Sequence, residues 1–193
     1  MHTRSPRPFH HRRSRFLACG AVALAAFSSH AAEPLGSLDV EGYMGTWHQV
    51  AHYPNFFQRQ CVRDTRASYR LIGPEAIEVT NRCTTAEGKE ESVVGLARPR
   101  GATVQVGRLA PAALEVSFLP GWLRWLPVGW GRYDLISLSD DGRVAIVSEP
   151  SKNYLWVLSR DKALGDERWQ AVTTFLGQAG FDLARLQRDP VSP

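Results

Sequence analysis

Histidine and cysteine, the residue types most often used for nucleophilic or metal chemistry, are few after the first 32 residues: His48, His52, Cys61 and Cys83. In an extended strand the two histidines would lie about 13 Å apart, too far to share one metal ion. No Gly-x-Ser-x-Gly elbow, His-Glu-x-x-His pair or phosphate-binding loop is present in the sequence. The sequence therefore predicts neither an enzyme nor a metal or cofactor site.

The two cysteines are an even number and lie symmetrically about a predicted turn at Gly73-Pro74. Cross-strand neighbours in a hairpin are about 4.5–5.5 Å apart, which is close to the separation that a disulfide requires. We therefore predict a Cys61–Cys83 disulfide, formed in an oxidising compartment, and no free thiol for catalysis.

The first 32 residues have the composition of an export signal. Five arginines end at Arg15, no acidic residue is present, and residues 16–27 form an apolar run too short to span a bilayer. We expect cleavage near Ala31 or Ala32 and export to the periplasm, with association with the outer membrane as an open alternative. Cys19 lies at the start of the apolar run, so we do not expect it to carry a lipid anchor.

The remaining residues, 33–193, have the composition of one globular domain. The formal net charge of +4 comes from the leader arginines, because the rest of the chain has 18 Lys and Arg against 19 Asp and Glu. Phosphate-backbone binding requires a clustered basic face, so we expect no nucleic-acid partner.

Most of this domain is predicted to form short β-strands. Eight segments are rich in β-branched or aromatic residues and are bounded by Gly, Pro, Asn or Asp. They are residues 46–53, 62–72, 75–83, 91–98, 113–119, 131–138, 143–149 and 154–160. Serially connected strands with one apolar face form either a sandwich or a barrel. Residues 103–108 fit a ninth strand or an extended hairpin arm.

One helix is predicted after the strands, over about 166–179, with Asp166 as its N-cap and Gly180 as its C-cap. Apolar residues recur at helical spacing from Trp169 to Leu176. This apolar stripe must be covered, so we expect the helix to pack on the outside of the sheet.

Three segments carry a family resemblance. Residues 45–47 (Gly-Thr-Trp) open the first strand, residues 149–160 form the last strand, and residues 114–118 lead to residues 131–134. These motifs resemble the lipocalins, in the branch of outer-membrane lipoprotein Blc and apolipoprotein D. The resemblance covers residues 38–187. It implies an all-β, eight-stranded, up-and-down antiparallel barrel over about 46–160, with the helix outside and a small hydrophobic ligand as partner.

Closure of such a barrel would bring Trp47 and Arg160 together, with the guanidinium over the indole. A cation–π contact of this kind contributes roughly 0.5–2 kcal/mol, and we interpret both residues as structural. If Trp47 points inward, the strand period of two places His48 and His52 outside, where we expect them to be solvated.

The same period predicts the residues that line the barrel and contact a ligand. They are Gln49, Ala51, Tyr53, Tyr69, Ile77, Val79, Val93, Leu114, Val116, Phe118, Tyr133, Tyr154 and Trp156. An eight-stranded barrel is wide enough to be filled by side chains or to hold one small ligand. Small inward residues such as Gly95 and Ala97 favour the second case, and the apolar lining suits a fatty acid or lysophospholipid.

Strand order predicts that the loops at residues 54–60, 84–90, 120–130 and 150–153 surround the mouth of the barrel. The first and third contain Phe56 and Phe57, and Trp122 and Trp125. Tryptophan beside arginine suits a membrane–water interface, so peripheral membrane contact is one hypothesis for this loop. A lid or a dimer contact is the other.

Two functions follow from these expectations, for a chain that is a monomer or a homodimer. The first is binding, storage or transport of a small hydrophobic ligand, for envelope lipid maintenance. The alternative is an interaction protein of the envelope or membrane surface, with a filled barrel, that acts through its Trp-rich loop. An enzyme acting on fatty substrates is disfavoured because both cysteines are predicted to be disulfide-bonded and no base is predicted to face inward.

Overall fold

A computed structural model describes residues 32–101, 103–105 and 107–190. The predicted export signal and Cys19 lie outside the described residues except for Ala32, so cleavage, export and the fate of Cys19 stay predictions.

The described chain forms twelve β-strands and two α-helices. The strands are Leu38–Asp39 (β1), Gly45–His52 (β2), Arg63–Gly73 (β3), Ala76–Thr84 (β4), Glu90–Pro99 (β5), Thr103–Gln105 (β6), Arg108–Ala110 (β7), Ala113–Ser117 (β8), Gly131–Leu138 (β9), Val144–Ser148 (β10), Leu155–Ser159 (β11) and Gln187–Arg188 (β12). The helices are Val40–Tyr43 (α1) and Asp166–Gln178 (α2).

Eight of these strands, β2 to β5 and β8 to β11, form an antiparallel sheet in chain order. The sheet closes on itself because β11 also pairs with β2. This confirms the predicted eight-stranded up-and-down barrel, and each strand lies within about two residues of its predicted bounds. Closure removes the two sheet edges that would otherwise be free to pair with another chain.

Strands β6 and β7 form a hairpin that pairs with β1 and not with the barrel strands. Leu38 of β1 lies opposite Leu109 of β7, and both side chains are buried in the barrel core. The hairpin arm is therefore the correct alternative for residues 103–108, and it covers the end of the barrel at which β2 begins.

The two faces of the barrel wall alternate as the sequence predicts. Val79 of β4 lies opposite Gly95 of β5 on the inner face, whereas Thr80 lies opposite Val94 on the outer face. The inward-facing residues of the strands together form the inner wall of the barrel.

One bulge reverses this alternation in β2. Gln49 lies opposite Leu158, but Ala51 lies opposite Val157, so Val50 is an extra residue between them. An inserted residue moves every later side chain of the strand to the other face. The prediction that Ala51 and Tyr53 line the barrel is therefore wrong, and both are buried in the cluster formed with α2.

Helix α2 packs on the outside of the barrel, as predicted. Val172 and Leu176 are buried against outward-facing residues such as Ile146 and Val157. Its N-cap is Gly165 rather than Asp166, which is the first helical residue. None of the helices in the described part of the chain has the length and apolarity needed to cross a membrane.

Gly180 ends helix α2 in the left-handed conformation, with φ of +75°. This conformation turns the chain so that the amide of Phe181 donates to the carbonyl of Leu176 at 2.9 Å. The Phe181 side chain then packs in the same cluster as the helix.

Candidate functional site

The closed end of the barrel is held by Trp47 and Arg160. The Trp47 side chain is fully buried, and the Arg160 guanidinium carbon lies 3.8 Å from the centre of its ring. Arg160 also donates to the carbonyl oxygens of Gly42, Met44 and Thr46 at 2.8–3.0 Å. The predicted contact is thus present, and it ties the last barrel strand to the segment that opens the first.

Three tyrosines meet above this plug. The hydroxyl of Tyr133 lies 2.7 Å from that of Tyr43 and 2.8 Å from that of Tyr69. Burial raises the pKa of Tyr69 to about 12 and raises those of Tyr43 and Tyr133 well above their usual value. All three therefore stay neutral and form a polar cluster inside an apolar core.

Several predicted lining residues belong to this core. Tyr69, Ile77, Val79 and Leu114 face inward, yet each is at most 5% exposed. They pack with Trp47 and with other inward side chains of the same cluster. We call this packed region, from the β6–β7 hairpin to the three tyrosines, the closed half of the barrel.

The opposite half of the inner wall is not covered. Val93 is 45% exposed and Phe118 is 40% exposed, although Val93 lies on the inner face and the Phe118 ring lies against inward-facing Gly95. The neighbouring inward residues Val116, Tyr154 and Trp156 are half-buried. We call this region the open half, and it contains the predicted lining residues that a ligand could contact.

Phe118 reaches across the inner wall because position 95 is glycine. A β-carbon at Gly95 would lie 2.7 Å from two carbons of the Phe118 ring, closer than real contacts allow. The glycine therefore does not leave an empty space, as the sequence suggested, but makes room for the ring of Phe118 beside the mouth.

Aromatic rings continue from the mouth loop into the open half. The ring of Phe57 lies 3.8 Å from Phe56 and 5.8 Å from Tyr154, measured between centroids. Tyr154 in turn stacks on Trp156 at 6.0 Å with nearly parallel planes. The rings form a continuous apolar path from solvent to the inner wall.

The loop between β8 and β9 presents two exposed tryptophans. Trp122 and Trp125 are 75% and 76% exposed. The loop behind them is fixed, because the Trp130 indole donates to the carbonyl of Arg124 at 2.8 Å and Arg98 lies 3.8 Å above the Trp130 ring. The two tryptophan side chains therefore project into solvent from a loop that is held in place.

A second mouth loop, between β10 and β11, is organised by one carboxylate. Glu149 accepts hydrogen bonds from the amides of Ser151 and Asn153, each at 2.7 Å, and from the Ser151 hydroxyl. Burial alone would raise the Glu149 pKa, but these donors outweigh it and lower the pKa below its usual value. The loop that leads to Tyr154 is therefore stabilised by an ionised side chain.

The predicted disulfide is confirmed. Cys61 and Cys83 are bonded, with their Cα atoms 5.5 Å apart, and join the first mouth loop to the end of β4. Among the described residues, no three His, Cys, Asp or Glu side chains are arranged to hold a metal ion. His48 is on the outer face, half-buried, and burial together with Lys162 and Arg66 lowers its pKa.

The sequence did not reveal a polar network at the mouth. Asp189, near the end of the chain, pairs with His52 Nδ1 and accepts from Gln49 Nε2, both at 2.7 Å. Gln58 donates to Gln49 at 2.8 Å and accepts from the Trp156 indole at 3.0 Å. The prediction that His52 is solvated is wrong, because the bulge at Val50 places it on the face of Trp156.

Among the cavities of the described residues, two adjoin the barrel wall. One, of about 300 Å³, lies beside the mouth and is lined by Gln49, His52, Gln58 and the segment from Gln187 to Pro190. The other, of about 370 Å³, lies outside the barrel, between α2 and β10. Only the first adjoins the predicted ligand-contacting residues.

Comparisons with known proteins agree with this architecture. The chain matches the family model of a lipocalin-like domain over residues 38–191. It is 36% identical over 164 residues to a protein of Acanthamoeba polyphaga mimivirus named as a lipocalin, covering 84% of this chain and 90% of that protein. It is 30% identical over 182 residues to outer membrane lipoprotein Blc of Escherichia coli, covering 89% and 95%. Insecticyanin from Manduca sexta shares the fold, with a TM-score of 0.65 at 20% identity over 83% and 84% of the two chains.

Proposed function

Because the chain belongs to the lipocalin family, we propose that it binds a small hydrophobic ligand in the open half of its barrel. The observation that carries this proposal is the exposure of Val93 and Phe118 on the inner wall. Apolar side chains that face inward and remain in contact with water gain free energy when a ligand covers them. In the closed half most inward apolar side chains, such as Ile77, Val79 and Leu114, are already buried by their neighbours.

We propose a fatty acid or a lysophospholipid as the ligand. Apolar and aromatic groups such as Val93, Val116 and Trp156 suit an acyl chain, which gains roughly 0.8 kcal/mol for each buried methylene. Polar groups are concentrated at the mouth, where Gln49, Gln58 and the Tyr154 hydroxyl could meet a head group. The acyl chain of the ligand would then enter the barrel first, and the head group would stay near solvent.

A chain-length series tests this proposal. The delipidated protein is titrated with saturated fatty acids and lysophosphatidylcholines of increasing length, and the complexes are identified by native mass spectrometry. Affinity should rise by up to about fourfold for each added methylene and then level off when the open half is full. An affinity that does not depend on chain length would contradict the proposal.

We also propose that the protein acts in the cell envelope without catalytic turnover. Similarity to an outer membrane lipoprotein supports an envelope location, and the predicted export signal supports the periplasm. Binding followed by release returns the ligand unchanged. Recovery of chemically intact lipid after incubation, together with detection of the protein in the periplasmic fraction, would support this role, whereas conversion of the lipid would contradict it.

A second function is favoured by the exposed tryptophans. We propose that Trp122 and Trp125 insert at a membrane surface and bring the mouth to the lipid. Their amphipathic rings are suited to the membrane interface, and each projects from a loop that is held in place by Trp130.

Liposome co-sedimentation tests the membrane contact. The double variant Trp122→Ser/Trp125→Ser should lose most of its binding to phospholipid vesicles. The matched control is Leu71→Ser/Ile72→Ser, which removes two exposed apolar side chains from the β3–β4 hairpin at the opposite end of the barrel. Equal binding by the two double variants would contradict docking through the Trp-rich loop.

A further inference from the structure

The final described segment of the chain, residues 187–190, fills a gap in the barrel wall. Strand β3 pairs with β2 only as far as His48 and Arg66. Beyond that point the two strands separate, and β12 pairs with β2 instead, with Gln187 opposite His52. We call this segment the tail. Its position is set by the Asp189 amide, which donates to the carbonyl of Val50 at 2.9 Å.

The tail carries a carboxylate into the wall. The Asp189 side chain is only 10% exposed. One of its oxygens accepts from Gln49 Nε2 and the other contacts His52 Nδ1, each at 2.7 Å. A buried carboxylate is costly unless donors surround it, so these two side chains form a site that is suited to a two-oxygen anion.

This site is continuous with the open half of the barrel. Gln49 lies on the inner face, opposite Leu158, and its amide oxygen accepts from Gln58. Gln58 also accepts from the indole of Trp156, on the inner wall. The cavity of about 300 Å³ beside Gln49 and Asp189 provides space at this point. An acyl chain in the open half could therefore place its head group where Asp189 now lies.

We propose that Asp189 occupies the carboxylate site of the ligand, so that the tail competes with a bound fatty acid within the same molecule. This inference rests on the proposed lipid-binding function and adds its head-group chemistry. A fatty acid must displace the Asp189 carboxylate in order to reach Gln49 and His52. The apparent affinity is then reduced by the fraction of molecules whose tail is docked.

Removal of the competing carboxylate tests the proposal. In Asp189→Ala, the affinity for dodecanoate should rise by about tenfold, whereas the affinity for dodecanol, which has the same chain and no charge, should stay within about twofold. Glu75→Ala is the control, because it removes one negative charge at the far end of the barrel. Equal changes for the two ligands, or no gain for dodecanoate, would overturn the proposal.

A second variant and a second ligand separate the test of the carboxylate site from the test of the lipid-binding function. Asp189→Asn removes the charge with little change in shape, so it replaces the alanine variant if that variant is unstable, with the same expected gain. Butyrate has too short a chain to depend on contacts with the inner wall of the barrel. It should shift the imidazole NMR signals of His52 in the variant but not in the wild type. If neither dodecanoate nor dodecanol binds either protein, the lipid-binding function fails. The butyrate titration then tests the anion site on its own. If the His52 signals of the variant do not shift on addition of butyrate, the anion site is refuted.

Discussion

The two halves of the barrel are built from the same eight strands but have opposite interiors. The closed half is filled by Trp47 and the three tyrosines, and most of its inward side chains are buried. The open half leaves Val93 and Phe118 exposed on the inner wall. A filled interior stabilises the fold, and an unfilled one is available to a ligand. Substitutions should therefore change stability at one end and binding at the other.

The largest effect is expected from Trp47→Ala, which empties the centre of the closed half. Truncation of a fully buried aromatic side chain costs about 3–5 kcal/mol, because apolar contacts are lost and a cavity remains. Chemical denaturation would measure the fall in the free energy of unfolding.

Trp122→Ser is the matched control for that experiment. Trp122 is 75% exposed at the other end of the barrel, so its removal should change the free energy of unfolding by less than about 0.5 kcal/mol. Similar losses for the two tryptophans would refute the division of the barrel into two halves.

Unlike Trp47, the disulfide stabilises the open end of the barrel. Cys61 and Cys83 are 22 residues apart, and the bond restricts the unfolded chain. The double variant Cys61→Ser/Cys83→Ser should lose about 3 kcal/mol of stability. Urea denaturation of the variant and the oxidised wild type would measure this loss, and coincident midpoints would show that the mouth needs no covalent restraint.

A smaller loss is expected from Arg160→Lys at the closed end. Lysine keeps the positive charge but cannot reach three carbonyl oxygens while covering the Trp47 ring. We expect a loss of about 2 kcal/mol with no change in ligand affinity. Thermal denaturation and a lipid titration on the same sample would check both parts, and a loss of affinity alone would contradict the structural role.

The last effect is absent at neutral pH and concerns the buried tyrosines at high pH. Tyrosine in the unfolded chain has a pKa near 10, whereas burial raises the pKa of Tyr69 to about 12 in the folded protein. Above pH 10 the unfolded state loses protons first, so stability falls as the pH rises towards 12. Linkage limits this fall to roughly 1.4 kcal/mol per pH unit for one tyrosine.

Tyr69→Phe isolates this contribution, because it removes one of the three ionisable hydroxyls. The variant should lose less stability than the wild type between pH 10 and 12, as measured by denaturation at a series of pH values. Ultraviolet absorbance of the folded wild type at pH 10 would give a second check. A tyrosinate signal from about half of the five tyrosines at that pH, as expected for a pKa near 10, would show that these side chains are solvated.

Much of the fold could be predicted because its signals are local. Strand alternation and the helical stripe of α2 follow from residue spacing, whereas barrel closure and the contact between Trp47 and Arg160 follow from the family resemblance. The prediction of which residues form the inner wall failed after Val50. A bulge depends on how β2 pairs with β11, and it leaves no mark in the alternation of the sequence. That one residue moved Ala51 and Tyr53 outward and placed His52 beside Trp156.

The tail could not be predicted for a different reason. Strand β12 has two residues, too few to form a pattern, and its partner lies about 135 positions earlier in the chain. The contact between Asp189 and His52 depends on the gap between β2 and β3, which exists only in the folded barrel. Filling of the closed half by three tyrosines likewise depends on side-chain directions from three separate segments.

Two adjacent valines give the most direct test of the central claim, that the open half binds the ligand. Val93 on the inner wall is 45% exposed and Val94 on the outer face is 49% exposed, so the two differ mainly in the side of the wall they occupy. We expect Val93→Trp to weaken palmitate binding by about tenfold or more, with stability within about 0.5 kcal/mol of wild type. Val94→Trp should leave the affinity unchanged. Equal affinities for the two variants, with both folded, would contradict a ligand site inside the barrel.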